Sequence, residues 1–262
     1  MSTVLRATDI SKRFAGIAAL DGVDIEVAHG ERVGLIGPNG AGKTTFFNCI
    51  LGILETDGGR VELDGHDVTS LPVHQRARRG IGRTFQRIEL FPDSTARDHL
   101  VVADRAQRRG HRFWRDLCGL RPEAAEVARC DEVLDLLGLD DLADEPIERL
   151  SLGQGRLVEV GRALMTNPKL LLLDEPSSGL DRTETAALAQ TLRRIQAERG
   201  FAILLVEHDI ELVSSFTTRS YLLDFGRLLT SGPTAEVMAG DEMRHAYLGD
   251  LEVPEQESEV PA

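Results

Sequence analysis

The chain has 262 residues, of which 42% are hydrophobic and 28% charged, and a formal net charge of −13. This is the composition of a soluble globular protein, long enough for a substantial core and a subdomain. The acidic balance argues against wrapping nucleic acid, which takes clustered Lys and Arg. No apolar run approaches the ~20 residues of a membrane helix, so a membrane role is expected only through a partner.

The opening residues, Met1 to Arg6, lack signal-peptide architecture. Cys49, Cys118 and Cys130 are widely spaced and odd in number, which suggests neither a disulfide framework nor a zinc site and fits a reducing cytosol. The seven His are scattered, and no structural metal is assigned to them.

As far as about Leu63 the sequence reads as short strands separated by turns. Val23 to Val27 alternates with period two, and His29-Gly30 turns it into an apolar strand, Val33 to Ile36. Phe14 precedes this system and is open to two uses, stacking on a ligand ring or plugging the sheet. After Ile36 comes Gly37-Pro38-Asn39-Gly40-Ala41-Gly42-Lys43-Thr44-Thr45, then a helix through Phe46, Phe47, Ile50 and Leu51. That is G-x-x-x-x-G-K-[ST] in its strand–loop–helix setting. The glycines let backbone N–H groups turn inward, and the helix N-terminus adds positive potential. Lys43 is placed to reach β/γ-phosphates and the Thr44 hydroxyl to ligate Mg²⁺, which points to a nucleoside triphosphate.

A strand over Arg60 to Leu63, a helix over Pro72 to Arg79 and a strand over Ile81 to Phe85, ending at Gln86, come next. Then the character changes. Thr95-x-x-Asp98 opens a helix through Leu100, Val101 and Val102. A basic stretch, Arg105 to Arg115, reads either as a solvated face or loop, or as a contact for lipid headgroups or a partner protein. Pro122 to Leu137 is a further helix, stopped by Gly138. Residues 90–167 are therefore expected to form a helical subdomain inserted in an α/β protein.

Leu170 to Leu173 is wholly apolar, as a strand covered on both faces should be, and Asp174-Glu175 ends it. A helix from Thr183 to Arg199 leads to a second buried strand, Ala202 to Val206, followed by Glu207-His208-Asp209. A hairpin signal at Asp224 to Arg227 and short helical pieces follow. The acidic segment 250–262 is expected to be a disordered tail beyond a domain over residues 1–249. Ligands in open α/β sheets collect at the carboxyl ends of strands, where the phosphate loop, Gln86, Asp174-Glu175 and His208 all fall.

Leu150-Ser151-Leu152-Gly153-Gln154, lying between the phosphate loop and Leu173-Asp174-Glu175-Pro176, resembles the signature of the ABC-type ATPase family. Gln86 is similar to its Q-loop glutamine, Ser178 to Asp181 to its D-loop, His208 to its switch histidine, and Phe14 to its adenine-stacking aromatic. Arg79 to Gln86, Leu90-Phe91-Pro92, Val206 to Asp209 and Ala246 to Gly249 resemble the ATP-binding subunits of branched-chain (hydrophobic) amino acid importers. Leu152 stands where the general signature has glycine, and Gly155 where glutamine is usual; Ser151 and Gly153 keep a hydroxyl and a backbone N–H for a γ-phosphate.

The resemblance implies a P-loop NTPase (RecA-like) core with an N-terminal antiparallel β subdomain and the inserted helices. ATP would lie on residues 37–45 and Phe14, and Mg²⁺ on Thr44, Asp174 and Gln86. Glu175 is expected to position or activate water and His208 to hold the γ-phosphate, with Gln86 reaching toward the metal. Ser151, Gly153, Gln154 and Asp181 would serve a site shared with a second ABC ATPase subunit, a related chain in a heterodimer or a second copy in a homodimer. Permease subunits at the cytoplasmic face of a membrane, and indirectly an extracytoplasmic solute-binding protein, complete the implied assembly, with no nucleic acid. The alternatives are a urea or amide importer, an exporter, or a soluble ABC ATPase.

Overall fold

The computed structural model describes residues 2–84, 90–109 and 122–248. The acidic tail, Gln86 and most of the basic stretch lie outside these residues. The chain begins with two long strands, β1 (Thr3–Phe14) and β2 (Ile17–Ala28). Their two-residue turn places Ala15 at φ 46° and Gly16 at φ 89°, the doubly left-handed geometry that matches the twist of a hairpin. With β4 (Gly58–Leu63) and β5 (His66–Asp67) they form an antiparallel sheet in the order β2-β1-β4-β5.

The second sheet has the order β10-β9-β3-β8-β7-β6. Its members are β3 (Arg32–Ile36), β6 (Ile81–Arg83), β7 (Leu170–Asp174), β8 (Ala202–Val206), β9 (Arg219–Asp224) and β10 (Arg227–Pro233). All neighbouring pairs are parallel except β9 with β10. The helices are α1 (Lys43–Leu51), α2 (Val73–Arg78), α3 (Ala96–Arg109), α4 (Ala124–Leu137), α5 (Leu152–Leu164), α6 (Arg182–Arg199), α7 (Ile210–Phe216), α8 (Thr234–Ala239) and α9 (Asp241–Leu248). None among the described residues is long and apolar enough to cross a membrane.

Alternation along the parallel strands decides where the core lies. Leu170, Leu172 and Leu204 join Phe46, Phe47 and Ile50 of α1 and the inner face of the antiparallel sheet in one apolar cluster. Leu171, Leu173, Ile203 and Leu205 point the other way, into a second cluster with α3, α4, α5, α6 and α7. The helices before β7 therefore share a continuous core with one face of the parallel sheet. A smaller third cluster joins Ile36, at the end of β3, to Val213, Leu222, Val237 and Met243.

The caps follow the sequence signals. Thr95 N–H donates to Asp98 Oδ2 at 3.0 Å and Asp98 N–H to Thr95 Oγ1 at 3.1 Å, the reciprocal box expected at the start of α3. Gly138 (φ 69°) and Gly200 (φ 74°) end α4 and α6 in the left-handed conformation. The start of the basic stretch divides between core and solvent, with Arg108 exposed as on a solvated face and Arg105 drawn inward. Arg105 is buried and ion-paired with Glu126 at 2.9 Å, and Arg108 with Asp104 at 2.8 Å. Their partners are helix residues that a basic run in the sequence does not reveal.

Candidate active site

The strand order sets β3, β8 and β7 side by side, so the segments leaving their carboxyl ends converge. From β3 comes the Gly37–Gly42 loop. Gly37 has φ 149°, and a Cβ there would lie 2.0 Å from Leu223 O; Gly42 has φ 107°, and its Cβ would lie 2.6 Å from Ala19 O. Only glycine fits these two positions. Helix α1 starts after Gly42 with no side-chain cap and no acidic residue in its first turn. Its N–H groups and dipole therefore remain directed at the loop, an arrangement suited to phosphate oxygens. Lys43 is 6% exposed, and its Nζ donates to Gly37 O at 2.6 Å and Pro38 O at 2.9 Å. Burial lowers its pKa, opposed by the nearby charges of Glu175 and Asp174.

From β7 come Asp174 and Glu175. Asp174 is buried, and burial pushes its carboxyl above the usual range against the pull of Arg83. Arg83 Nη2 donates to Asp174 Oδ2 at 3.0 Å and its Nη1 to Asn48 Oδ1 on α1 at 3.3 Å. Glu175 has a left-handed backbone, φ 48°, uncommon for a non-glycine residue and a mark of functional turns. Its N–H donates to Val206 O at 2.9 Å. From β8 comes His208, whose Nε2 lies 2.7 Å from Glu175 Oε1. Phosphate loop, two carboxylates and an imidazole thus occupy one end of the sheet. Thr44 follows Lys43 in the first turn of α1. A hydroxyl and a carboxylate are hard oxygen donors that suit Mg²⁺, which takes few protein ligands beside substrate phosphates.

Other candidate residues stand elsewhere. Ser151 caps α5, its Oγ accepting from Gln154 N–H at 3.2 Å while Ser151 N–H donates to Gln154 Oε1 at 2.8 Å. Asp181 caps α6, accepting from Glu184 N–H at 2.8 Å. Leu152 is 42% exposed and packs toward the D-loop-like turn, its Cδ2 3.0 Å from where a Cβ on Gly179 would be. Arg156, on the same helix, donates to Ser178 O at 3.2 Å. Phe14, at the end of β1, is 45% exposed, with Lys12 Nζ 5.8 Å from its ring centre. Gln86 lies outside the described residues.

The family model described as "ABC transporter" matches residues 20–178. The chain belongs to the ABC transporter family. Its fold is that of an ABC ATPase cassette, and such cassettes bind and hydrolyse ATP. The branched-chain amino acid transport ATP-binding protein BraF of Pseudomonas aeruginosa is 36% identical over 254 residues, covering 94% of this chain and 98% of BraF. The lipopolysaccharide export ATP-binding protein LptB of Acidithiobacillus ferridurans is 34% identical, covering 95% and 98%. A cassette of an ABC transporter in its ADP conformation superposes with TM-score 0.87 at 30% identity, covering 95% of this chain and 100% of that one. A dimeric cassette in a post-hydrolysis state with ADP and Pi gives TM-score 0.73 at 26% identity, covering 88% and 98%.

Three residues near the cassette's phosphate end escaped the sequence reading. Arg83 lies inside the run matched to importer subunits, yet nothing in that run says that it reaches Asp174. Tyr247 Oη accepts the Gly37 N–H at 3.1 Å across 210 positions, and burial raises its pKa. Glu207 is buried beside the switch-like histidine; it lies inside the run Val206 to Asp209 matched to importer subunits, and nothing in that run says what its carboxylate binds.

Proposed function

We propose that this cassette is the ATP-hydrolysing subunit of an importer for branched-chain amino acids, working at the cytoplasmic face of a membrane with permease subunits and a second, related cassette. The observation that carries the catalytic part is the convergence of residues 37–45, Asp174, Glu175 and His208 at the carboxyl ends of β3, β7 and β8. Similarity to the BraF subunit along nearly its whole length supports the solute class.

Residues Gly37, Pro38, Asn39, Gly40, Ala41, Gly42, Lys43, Thr44 and Thr45 hold the triphosphate, and the Phe14 ring, open to solvent, stacks on the adenine. Thr44, Asp174 and Gln86 hold Mg²⁺, which when bound neutralises phosphate charge. Lys43 has two carbonyl partners within the loop and exchanges them for phosphate oxygens. Glu175 orients the attacking water or takes its proton. His208 fixes the Glu175 carboxylate and faces the γ-phosphate. Ser151, Gly153 and Gln154 start a helix away from the phosphate loop and meet the nucleotide of the partner cassette, as do the residues around Asp181. A heterodimer fits the importer branch; a homodimer is the alternative arrangement.

The permease side is a cavity of about 380 Å³, lined mainly by apolar surface including Leu51, Ile53, Val73, Ala103 and Ala163 together with Arg83. It lies between α1, α2 and β6 on one side and α3 and α5 on the other, so a segment seated there touches both the phosphate-loop helix and the signature helix.

The similarity to LptB supports a second reading, a cassette that powers an exporter. Reconstitution in vesicles with the permease subunits that co-purify separates the two. Stimulation of ATPase activity by a leucine- or isoleucine-loaded binding protein is expected. Activity that responds to lipid substrate and to no binding protein would establish the exporter.

A further inference from the structure

Glu207 is 3% exposed and follows the last residue of β8. Its two carboxylate oxygens serve different loops. Oε1 accepts the Ser177 N–H at 2.9 Å, while Oε2 accepts the His208 N–H at 2.9 Å and that of Asp209 at 3.4 Å. A carboxylate so buried is tolerable only where donors meet both oxygens, and here backbone N–H groups from two loops do so. Ser177 lies two residues after Glu175 and opens the turn that ends at Asp181, the N-cap of α6. Asp209 in turn caps α7, accepting from Leu212 N–H at 3.0 Å.

Two further contacts join the same loops. Glu175 N–H donates to Val206 O at 2.9 Å, and His208 Nε2 meets Glu175 Oε1 at 2.7 Å. The backbone contact needs no particular side chain, and the imidazole contact lies at the reacting end. Glu207 is the side chain that fixes the Ser177 backbone to the His208 backbone beneath them.

We infer that Glu207 is a positioning residue that makes the loop over Glu175–Asp181 and the loop carrying His208 move as one unit. Resting on the two-cassette arrangement proposed above, this gives the signal a direct route. A partner that settles on the Asp181 turn shifts Ser177, Ser177 pulls on Oε1 of Glu207, and Oε2 carries the shift to His208 and its hold on Glu175. Glutamate at this position is the requirement, because the bridge needs two acceptor oxygens at this reach. Glutamine keeps the volume but has one acceptor, and its NH₂ faces an N–H that it cannot accept.

The test uses Glu207→Gln and Glu207→Asp in the complex purified through a tag on this chain. Both variants should bind ATP within about two-fold of wild type, because neither oxygen touches the phosphate loop. Turnover should fall by about ten-fold or more in both, with KM little changed, a loss of about 1.4 kcal/mol or more. Amide hydrogen exchange on the ADP-bound isolated chain gives a reading that needs no partner. The Ser177 and His208 amides should be protected together in wild type and lose protection together in Glu207→Gln, with β7 and β8 still protected. Turnover within two-fold of wild type, or a Ser177 amide that stays protected when His208 is released, would overturn the inference. If wild-type turnover does not depend on the second cassette, the two-cassette reading fails, while the paired exchange of Ser177 and His208 still decides whether Glu207 couples the loops.

Discussion

His208 Nε2 lies 2.7 Å from Glu175 Oε1, joining the loop after β8 to the loop after β7. The contact holds the Glu175 carboxylate at a backbone of φ 48° that the preceding strand alone would not favour. If Glu175 orients the attacking water, Glu175→Gln keeps ATP affinity and lowers hydrolysis by about 10²–10⁴. Filter binding and phosphate release on the same preparation check it. Near-normal turnover removes Glu175 from the mechanism.

The phosphate loop gives a graded prediction from three glycines. At Gly37 a Cβ would sit 2.0 Å from Leu223 O and at Gly42 2.6 Å from Ala19 O, both backbone atoms, whereas at Gly40 nothing lies within 4 Å. Gly37→Ala and Gly42→Ala force the loop off its strand neighbours and should abolish measurable ATP binding. Gly40→Ala should cost only the left-handed backbone penalty, about 1–2 kcal/mol. Fluorescent-nucleotide titration of the three variants tests that ranking, and equal losses at all three positions would contradict it.

Lys43→Ala should abolish triphosphate binding, since backbone N–H groups alone leave the γ-phosphate charge unbalanced. Phe14→Ala should weaken ATP and GTP alike, by about 1–3 kcal/mol, because stacking tolerates either base. Titrations with both nucleotides check this. Unchanged affinity in Phe14→Ala would mean that the exposed ring serves something other than the nucleotide.

How far the sequence could be read depended on how far apart the interacting groups lie. The parallel strands were legible because both faces are covered, so Leu170–Leu173 and Ala202–Val206 are continuous apolar runs. The phosphate loop was legible because its glycines and lysine are consecutive. The first strand was less so. Asp9, at φ 54°, breaks the alternation of β1, and the pairing with β2 shifts register between Ala7 and Ile10. A 12-residue strand thus reads as shorter pieces. The burial of Arg105 was not legible because its acid lies on α4, and that pairing exists only once the helices pack. Tyr247 on Gly37 and Arg83 on Asp174 are likewise products of packing, made between residues 210 and 91 positions apart.

The helical part carries a pH prediction. Burial alone would raise the Asp104 carboxyl, but the Arg129 and Arg108 guanidiniums hold it below its ordinary value. A carboxylate depressed in the folded state stabilises the fold above the ordinary carboxylate range, and that contribution is lost as pH falls through the range toward the depressed pKa. Asp104→Asn should therefore cost about 1–3 kcal/mol at neutral pH, and the gap to wild type should narrow as the solution is acidified. Thermal unfolding at pH 7 and at about pH 3, below the ordinary aspartate pKa, measures both. A gap that widens on acidification would contradict the assignment.

The shared site is the centre of the account, and sedimentation tests it most directly. Ser151 caps α5 while the phosphate loop opens α1, and each Ser151 is proposed to sit on the nucleotide of the partner cassette. The Glu175→Gln chain, mixed with the cassette that co-purifies with it, is sedimented with and without ATP, and again with Ser151→Arg added. The account predicts an ATP-dependent pair that Ser151→Arg abolishes, with ATP binding to the isolated chain unchanged. An ATP-dependent pair that survives Ser151→Arg would contradict it.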